Sequence, residues 1–140
     1  MWNPSKVKIH KPETCNISEK AKIGGGTVIH AGVHVHDNVV IGKKCKIQAQ
    51  VFIPNGVTIE DHVFVGPQVG FANDAKLIGF SNNFVPDPTL IQEGVKIGLG
   101  AKINAGVTIG KGAIIGMGAI VLKDIPAGEV WVGNPAKKIK

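Results

Sequence analysis

The sequence contains no arginine and no tyrosine, and all of its positive charge comes from 16 lysines. Cysteine and the aromatics are also scarce: two Cys, two Trp and five Phe. Each shortage excludes something. Cys15 and Cys45 are too few for a disulfide framework and fit a reducing compartment as small buried residues. The aromatics do not alternate with the lysines as a base-stacking surface requires, so the net charge of +6 does not indicate nucleic-acid binding. A diffuse positive field instead attracts phosphate-bearing ligands in general. No apolar run approaches the roughly 18 residues of a membrane helix. The opening Met-Trp-Asn-Pro-Ser-Lys lacks the apolar stretch of a secretory leader. A cytoplasmic protein without a membrane span is expected.

What is present is ordinary in amount and unusual in order. The chain has 140 residues, 44% of them apolar and 19% charged, which is enough for one domain with one core. From Ile17, steps of six give Ile23, Ile29, Val35, Ile41, Ile47, Ile53, Ile59, Val65 and Phe71, all large and apolar. Four residues beyond each lies a small or β-branched residue, as in Ala21, Thr27, Val33, Val39 and Cys45. The pattern resumes at Ile91 and runs through Ile97, Ile103, Ile109 and Ile115 to Val121. Neither a helix nor an alternating strand has a period of six, so this is a repeat architecture. Each hexad reads as a short strand with one inward aliphatic residue, followed by a corner. Glycines at Gly24, Gly42, Gly66, Gly98, Gly110 and Gly116 mark corners that need either positive φ or close backbone approach. Three strands close a triangular coil of about 18 residues, and the coils stack. The sixteen hexads predict an all-β parallel β-helix of about five to six coils.

Twenty residues separate Phe71 from Ile91, which is not a multiple of six. A non-repeat loop is therefore expected at about 77–90, leaving the stack at a corner and returning to it. Long loops on rigid scaffolds are common places for function. Beyond Pro126 the repeat decays, and 127–140 reads as a cap that turns at Asn134-Pro135 and lays Trp131 and Ile139 over the last coil. The organisation expected is one domain spanning 1–140.

The stretch from Ile109 to Pro126, followed by Gly133-Asn-Pro-Ala-Lys137, resembles the hexapeptide-repeat acyltransferases that use acetyl-coenzyme A. The stretches Lys46-Ile-Gln, Gly56-Val-Thr-Ile-Glu-Asp61, Val63-Phe-Val-Gly-Pro67 and Phe71-Ala-Asn-Asp74 are similar to the branch that N-acetylates nucleotide-linked amino sugars for surface polysaccharides. The resemblance implies a left-handed coil and a homotrimer with active sites between subunits. It also implies acetyl-CoA as donor and a nucleotide-linked amino sugar as acceptor, with no metal. Carried over by position, the coenzyme contacts fall on Leu99, Met117, Leu122, Lys123, Lys137 and Lys140, with lysines meeting the phosphates as point charges.

Acyl transfer to an amine needs a neutral nucleophile, an oxyanion donor and a proton acceptor. Asn73 and Asp74 stand at the mouth of the loop. Asn73 suits a hydrogen bond to the sugar or to the thioester carbonyl, and Asp74 suits holding the amine or taking its proton. The plainer alternative is an Asx turn that launches the loop. Of the histidines, His34 is the candidate base and would matter more for an O-acetyltransferase, whose hydroxyl acceptor needs one. His30 and His36 read as corner residues, and His10 and His62 as surface ones. A different class, the zinc carbonic anhydrases of this fold, shares three histidines between subunits. The histidine spacings of four, two and six, with no arginine, argue against it. A non-catalytic structural β-helix is the third alternative, and it would not need the coenzyme-type tail.

Overall fold

The computed structural model describes residues 1–77 and 82–140; residues 78–81 of the expected loop lie outside the described residues. The described strands, each of two or three residues, lie on three faces of one solenoid. Face I stacks Lys8–Ile9, Val28–Ile29, Lys46–Ile47, Phe64–Val65, Lys96–Ile97, Ile114–Ile115 and Val130–Val132 in parallel. Face II stacks Asn16–Ile17, His34–Val35, Phe52–Ile53, Gly70–Phe71, Lys102–Ile103 and Ile120–Val121. Face III stacks Lys22–Ile23, Val40–Ile41, Val57–Ile59, Thr89–Ile91 and Thr108–Ile109, and Ile125 bridges to Ile109 above them.

In most strands the second residue points inward and the first outward. The inward set is a column of fully buried aliphatics that includes Ile29, Ile47, Ile53, Ile59, Ile91 and Ile97. Burying each is worth roughly 1.5–3 kcal/mol, and this repeated term drives the stacking. Backbone groups pair with the next coil, as when His30 N–H donates to Ile47 C=O at 2.9 Å and Gln48 N–H donates to Val65 C=O at 2.9 Å. The buried hydroxyl of Thr27 donates to Gly42 C=O at 2.8 Å and accepts from Cys45 N–H at 3.1 Å.

Faces II and III carry the expected five to six levels, and face I carries about seven. The sequence period misses the first level because Ile9 and Ile17 are eight residues apart, the 3-10 turn Pro12–Thr14 adding two. At the other end Val121 and Ile125 are only four apart before Trp131 resumes the column. Thr89 and Leu90, expected in the loop, belong to a face III strand.

The structure also decides what the marked corner glycines are for. Gly24, Gly42, Gly66, Gly98 and Gly110 sit where one coil's backbone crosses the next, and Gly116 sits under the Val132 side chain of the cap. A Cβ on Gly98 would lie 2.6 Å from Met117 N. Positive φ falls two residues later, at Gly100 (+72°) and Gly118 (+68°), and at Gln50 and Gln68 (both +62°) in the same column.

The ends are closed by tryptophan. Trp2 packs on the first coil, and its Nε1–H donates to Ser18 C=O at 3.1 Å. Trp131 and Ala136 are buried at the other end, in a hairpin with Lys137–Lys138. Ile139, expected in this lid, is 58% exposed, because in the antiparallel return strand Ala136 takes the inward place. Cys45 is buried, with Sγ 3.1 Å from Glu60 O, and burial pushes its thiol pKa up, which leaves it unreactive. Cys15 is half-buried, not buried, because it belongs to the first coil and nothing stacks beneath it.

Candidate functional site

At the corner between faces II and III the stacked positions are Asp37, Asn55, Asn73 and Ala105, one per coil. At Asn73 the chain leaves the stack, and it rejoins at Thr89. Asn73 holds both legs of this excursion. Its Nδ2 donates to Asn55 C=O one coil below at 2.8 Å, and its own C=O accepts from Asp87 N–H at 3.1 Å. The Asp87 carboxylate in turn accepts from Ala75 N–H at 3.1 Å. The return leg crosses Gly56, where a Cβ would lie 2.8 Å from Pro86 Cβ, and Thr89 N–H then donates to Gly56 C=O at 2.9 Å. This clamp leaves the half-buried Asp74 carboxylate at the mouth with no hydrogen-bond or ion-pair partner among the described residues. Asn73 keeps its Oδ1 and the second hydrogen of its amide.

Two concavities lie on the cap side of this mouth, the first beside Ala72 and the second two levels farther along the stack. A groove of about 380 Å³ runs over face II, floored by Gly70, Phe71 and Ala72 and bounded by Lys102, Asn104 and Leu122. A second, of about 190 Å³, lies at the cap between Leu122, Lys123, Trp131 and Lys137. Leu122 is the ridge common to both. Lys123 holds its ammonium 5.4 Å from the Trp131 ring centroid, a cation–π distance.

The carried-over coenzyme positions fall into separate groups. Leu122, Lys123 and Lys137 converge at the cap hollow. Leu99 and Met117 stack at the opposite edge of face II, where Gly118 N–H donates to Leu99 C=O at 2.8 Å. Lys140 lies beyond both, its backbone C=O accepting from Val130 N–H at 2.8 Å at the far end of the terminal hairpin.

His34 is exposed on face II, two strands below Gly70, so about 10 Å along the stack separates it from the level of Asn73. It approaches His36 edge to face, and His36 packs on the exposed Phe52. His10 is half-buried and stacks on His30 with centroids 4.6 Å apart. His62 lies 3.6 Å from Glu93. Among the described residues no three His, Cys, Asp or Glu side chains converge as metal ligands would. Lys102, Gly70 and Asn104 line the groove and escape the sequence reading. The signal was Gly70 itself, a glycine in a strand position where a side chain is the rule.

The family model of bacterial transferase hexapeptide (six repeats) matches residues 20–55 and 88–123, half of the chain, and the chain belongs to that family. No curated protein sequence matches it significantly. Among solved structures, the acetyltransferase domain of PglB from Neisseria gonorrhoeae, in complex with acetyl coenzyme A, is similar over 96% of this chain, with TM-score 0.82 and 27% identity. PerB from Caulobacter crescentus, in complex with CoA and GDP-perosamine, is similar in fold over 96% of this chain, with TM-score 0.79 and 23% identity. So is a point mutant of AntD, an N-acyltransferase from Bacillus cereus in complex with dTDP and coenzyme A, over 96% of this chain with TM-score 0.78 and 21% identity. This chain spans 58% of the length of the first two and 77% of the third. All share its left-handed parallel β-helix architecture. No described helix is long and apolar enough to cross a membrane.

Proposed function

We propose that the protein is an acetyl-CoA-dependent N-acetyltransferase acting on the amino group of a nucleotide-linked sugar, in the cytoplasm. The observation that carries this reading is the opened corner, where Asp74 and the spare polar atoms of Asn73 stand beside a groove that meets the lysine-bearing cap hollow at Leu122. The coenzyme binding named for the PglB domain supports it.

In this reading the coenzyme's phosphates meet Lys123 and Lys137, with Lys140 at the periphery, and Leu122 takes its apolar arm. Leu99 and Met117 lie across face II from these residues, so they serve a coenzyme held by a neighbouring copy in a homotrimer, with one site at each subunit boundary. The acceptor amine attacks the thioester carbonyl. Asp74 orients the amine and accepts its proton, and Asn73 donates to the carbonyl oxygen as charge develops there, a contact typically worth about 3 kcal/mol of barrier. The new C–N bond forms as the C–S bond breaks, and the proton passes to the departing thiolate. His34, two levels away, is given no part in this step; it would matter more for an O-acetyltransferase.

Calorimetry with coenzyme A and acetyl-CoA, with metal analysis of the same sample, tests the reading. Micromolar binding of both, about −8 kcal/mol, followed by turnover with nucleotide-linked amino sugars, is the expected result. Absence of coenzyme binding overturns it, and stoichiometric zinc in its place would favour the anhydrase-like alternative.

A further inference from the structure

Gly70 and Lys102 have no part in the step just described. Gly70 is the only glycine among the outward-pointing residues of the described strands on the three faces. The backbone does not require it there. Its φ is not in the left-handed region, and an added Cβ would meet only the Lys102 side chain, at an ordinary 3.6 Å. Glycine weakens a strand, so what this one supplies is room. The room is the face II groove.

Lys102 leans over that floor. Its Nζ donates to Gln68 C=O at 2.6 Å, the only lysine ammonium in a hydrogen bond to a carbonyl among the described residues. It has no carboxylate within salt-bridge range among the described residues. An ammonium offers three donors and one is engaged. A cation fixed by a backbone carbonyl over an apolar floor, without a counter-charge, suits an oxyanion whose attached body covers the floor. From Gly70 to Asn73 is three residues, at most about 10 Å of chain. A molecule anchored at Lys102 therefore reaches the open corner with its other end.

We propose that this groove is the acceptor subsite and that Lys102 contacts an oxyanion of the nucleotide-linked acceptor, either its pyrophosphate or a carboxylate on its sugar. The proposal rests on the acyltransferase reading and adds a specificity-determining residue to it.

The test is calorimetry on the full chain. UDP-, GDP- and dTDP-glucose are compared, the tightest is carried forward with its uronate counterpart, and coenzyme A is measured alongside. Lys102→Met keeps the stem and removes the charge; it should weaken the nucleotide sugar at least tenfold while coenzyme A stays within twofold. Lys102→Arg should restore most of the loss. Equal losses for the glucose and uronate forms assign the contact to pyrophosphate, and loss of only the uronate's advantage assigns it to the carboxylate. Gly70→Val, with an unchanged melting temperature, should weaken the same ligand by filling the floor. Affinity unchanged in Lys102→Met for both the glucose and the uronate form, or an equal loss for coenzyme A, overturns the proposal. Wild-type protein that binds coenzyme A and none of the nucleotide sugars overturns it too and leaves acyl transfer standing. Wild-type protein that binds no coenzyme A strikes instead at the reading beneath it.

Discussion

Asn55 and Asn73 occupy the same corner of successive coils, yet the chain treats them differently. At Asn55 it turns through Gly56 at φ +106° and enters the Val57–Ile59 strand at once. At Asn73 it departs, and the next described strand begins at Thr89. The same residue type thus serves a closed corner and an open one. At the open corner the Asn73 side-chain amide ties the departing leg to the coil below and its backbone C=O holds the returning leg, while the Asp74 carboxylate is left without a partner among the described residues. A β-helix can open one corner without losing its stack, because register is held by the inward column on either side. Function then needs only a few polar side chains at the gap.

The largest effects should test whether the stack ignores the interruption. Ile59 and Ile91 are vertical neighbours on face III, one before and one after the loop, and both are fully buried. Alanine at either should cost about 2–5 kcal/mol in denaturant unfolding, and the two costs should agree within about 1 kcal/mol. A much smaller cost at Ile91 would mean that the returning strand is held by the loop and not by the column. Next comes Gly98→Ala, whose Cβ would lie 2.6 Å from Met117 N; overpacking of this kind costs about 1–3 kcal/mol. Gly118→Ala meets nothing within 4 Å and bears only the strain of φ +68°, so its cost should fall near 1 kcal/mol. Reversal of that order would mean that the corner glycines serve φ and not close approach.

The two asparagines then give the functional contrast. Asn73→Ala should lower turnover about 100-fold while costing about 1 kcal/mol of stability. Asn55→Ala keeps the backbone carbonyl that Asn73 uses and should leave turnover within about twofold. Equal loss of stability and turnover in Asn73→Ala would reduce Asn73 to a loop staple.

The period of six gave the three faces, their inward residues and the break after Phe71, because one inward aliphatic per short strand is a steric rule that repeats without exception. It failed at the ends, where Pro12–Thr14 adds two residues and the step from Val121 to Ile125 drops two. A periodic count cannot see a coil that is closed with a different number of residues. Asn73 and Asp74 were legible because they stand where the period stops. Lys102 was not, since an outward lysine looks like Lys8, Lys46 or Lys96 until the carbonyl of Gln68 is found beside it. Ile139 was misplaced because the return strand is antiparallel, and nothing in a parallel repeat sets its inward side.

The smallest effect concerns the coil end farthest from the cap. His30 stacks on His10 and also faces Lys46 and Lys8; burial first, then these positive neighbours, hold its pKa below the ordinary 6.5. Below about that pH the unfolded chain binds a proton that folded His30 resists, so stability rises with pH through this range. The contribution is complete above pH 6.5 and is lost as pH falls toward the folded pKa. Melting temperature should therefore fall as pH drops below 6.5, and His30→Asn should flatten part of that fall. Turnover measured over the same range should not follow His30, because its coil lies two levels from the open corner; a parallel loss of activity in wild type that disappears in His30→Asn would tie that end of the stack to the site.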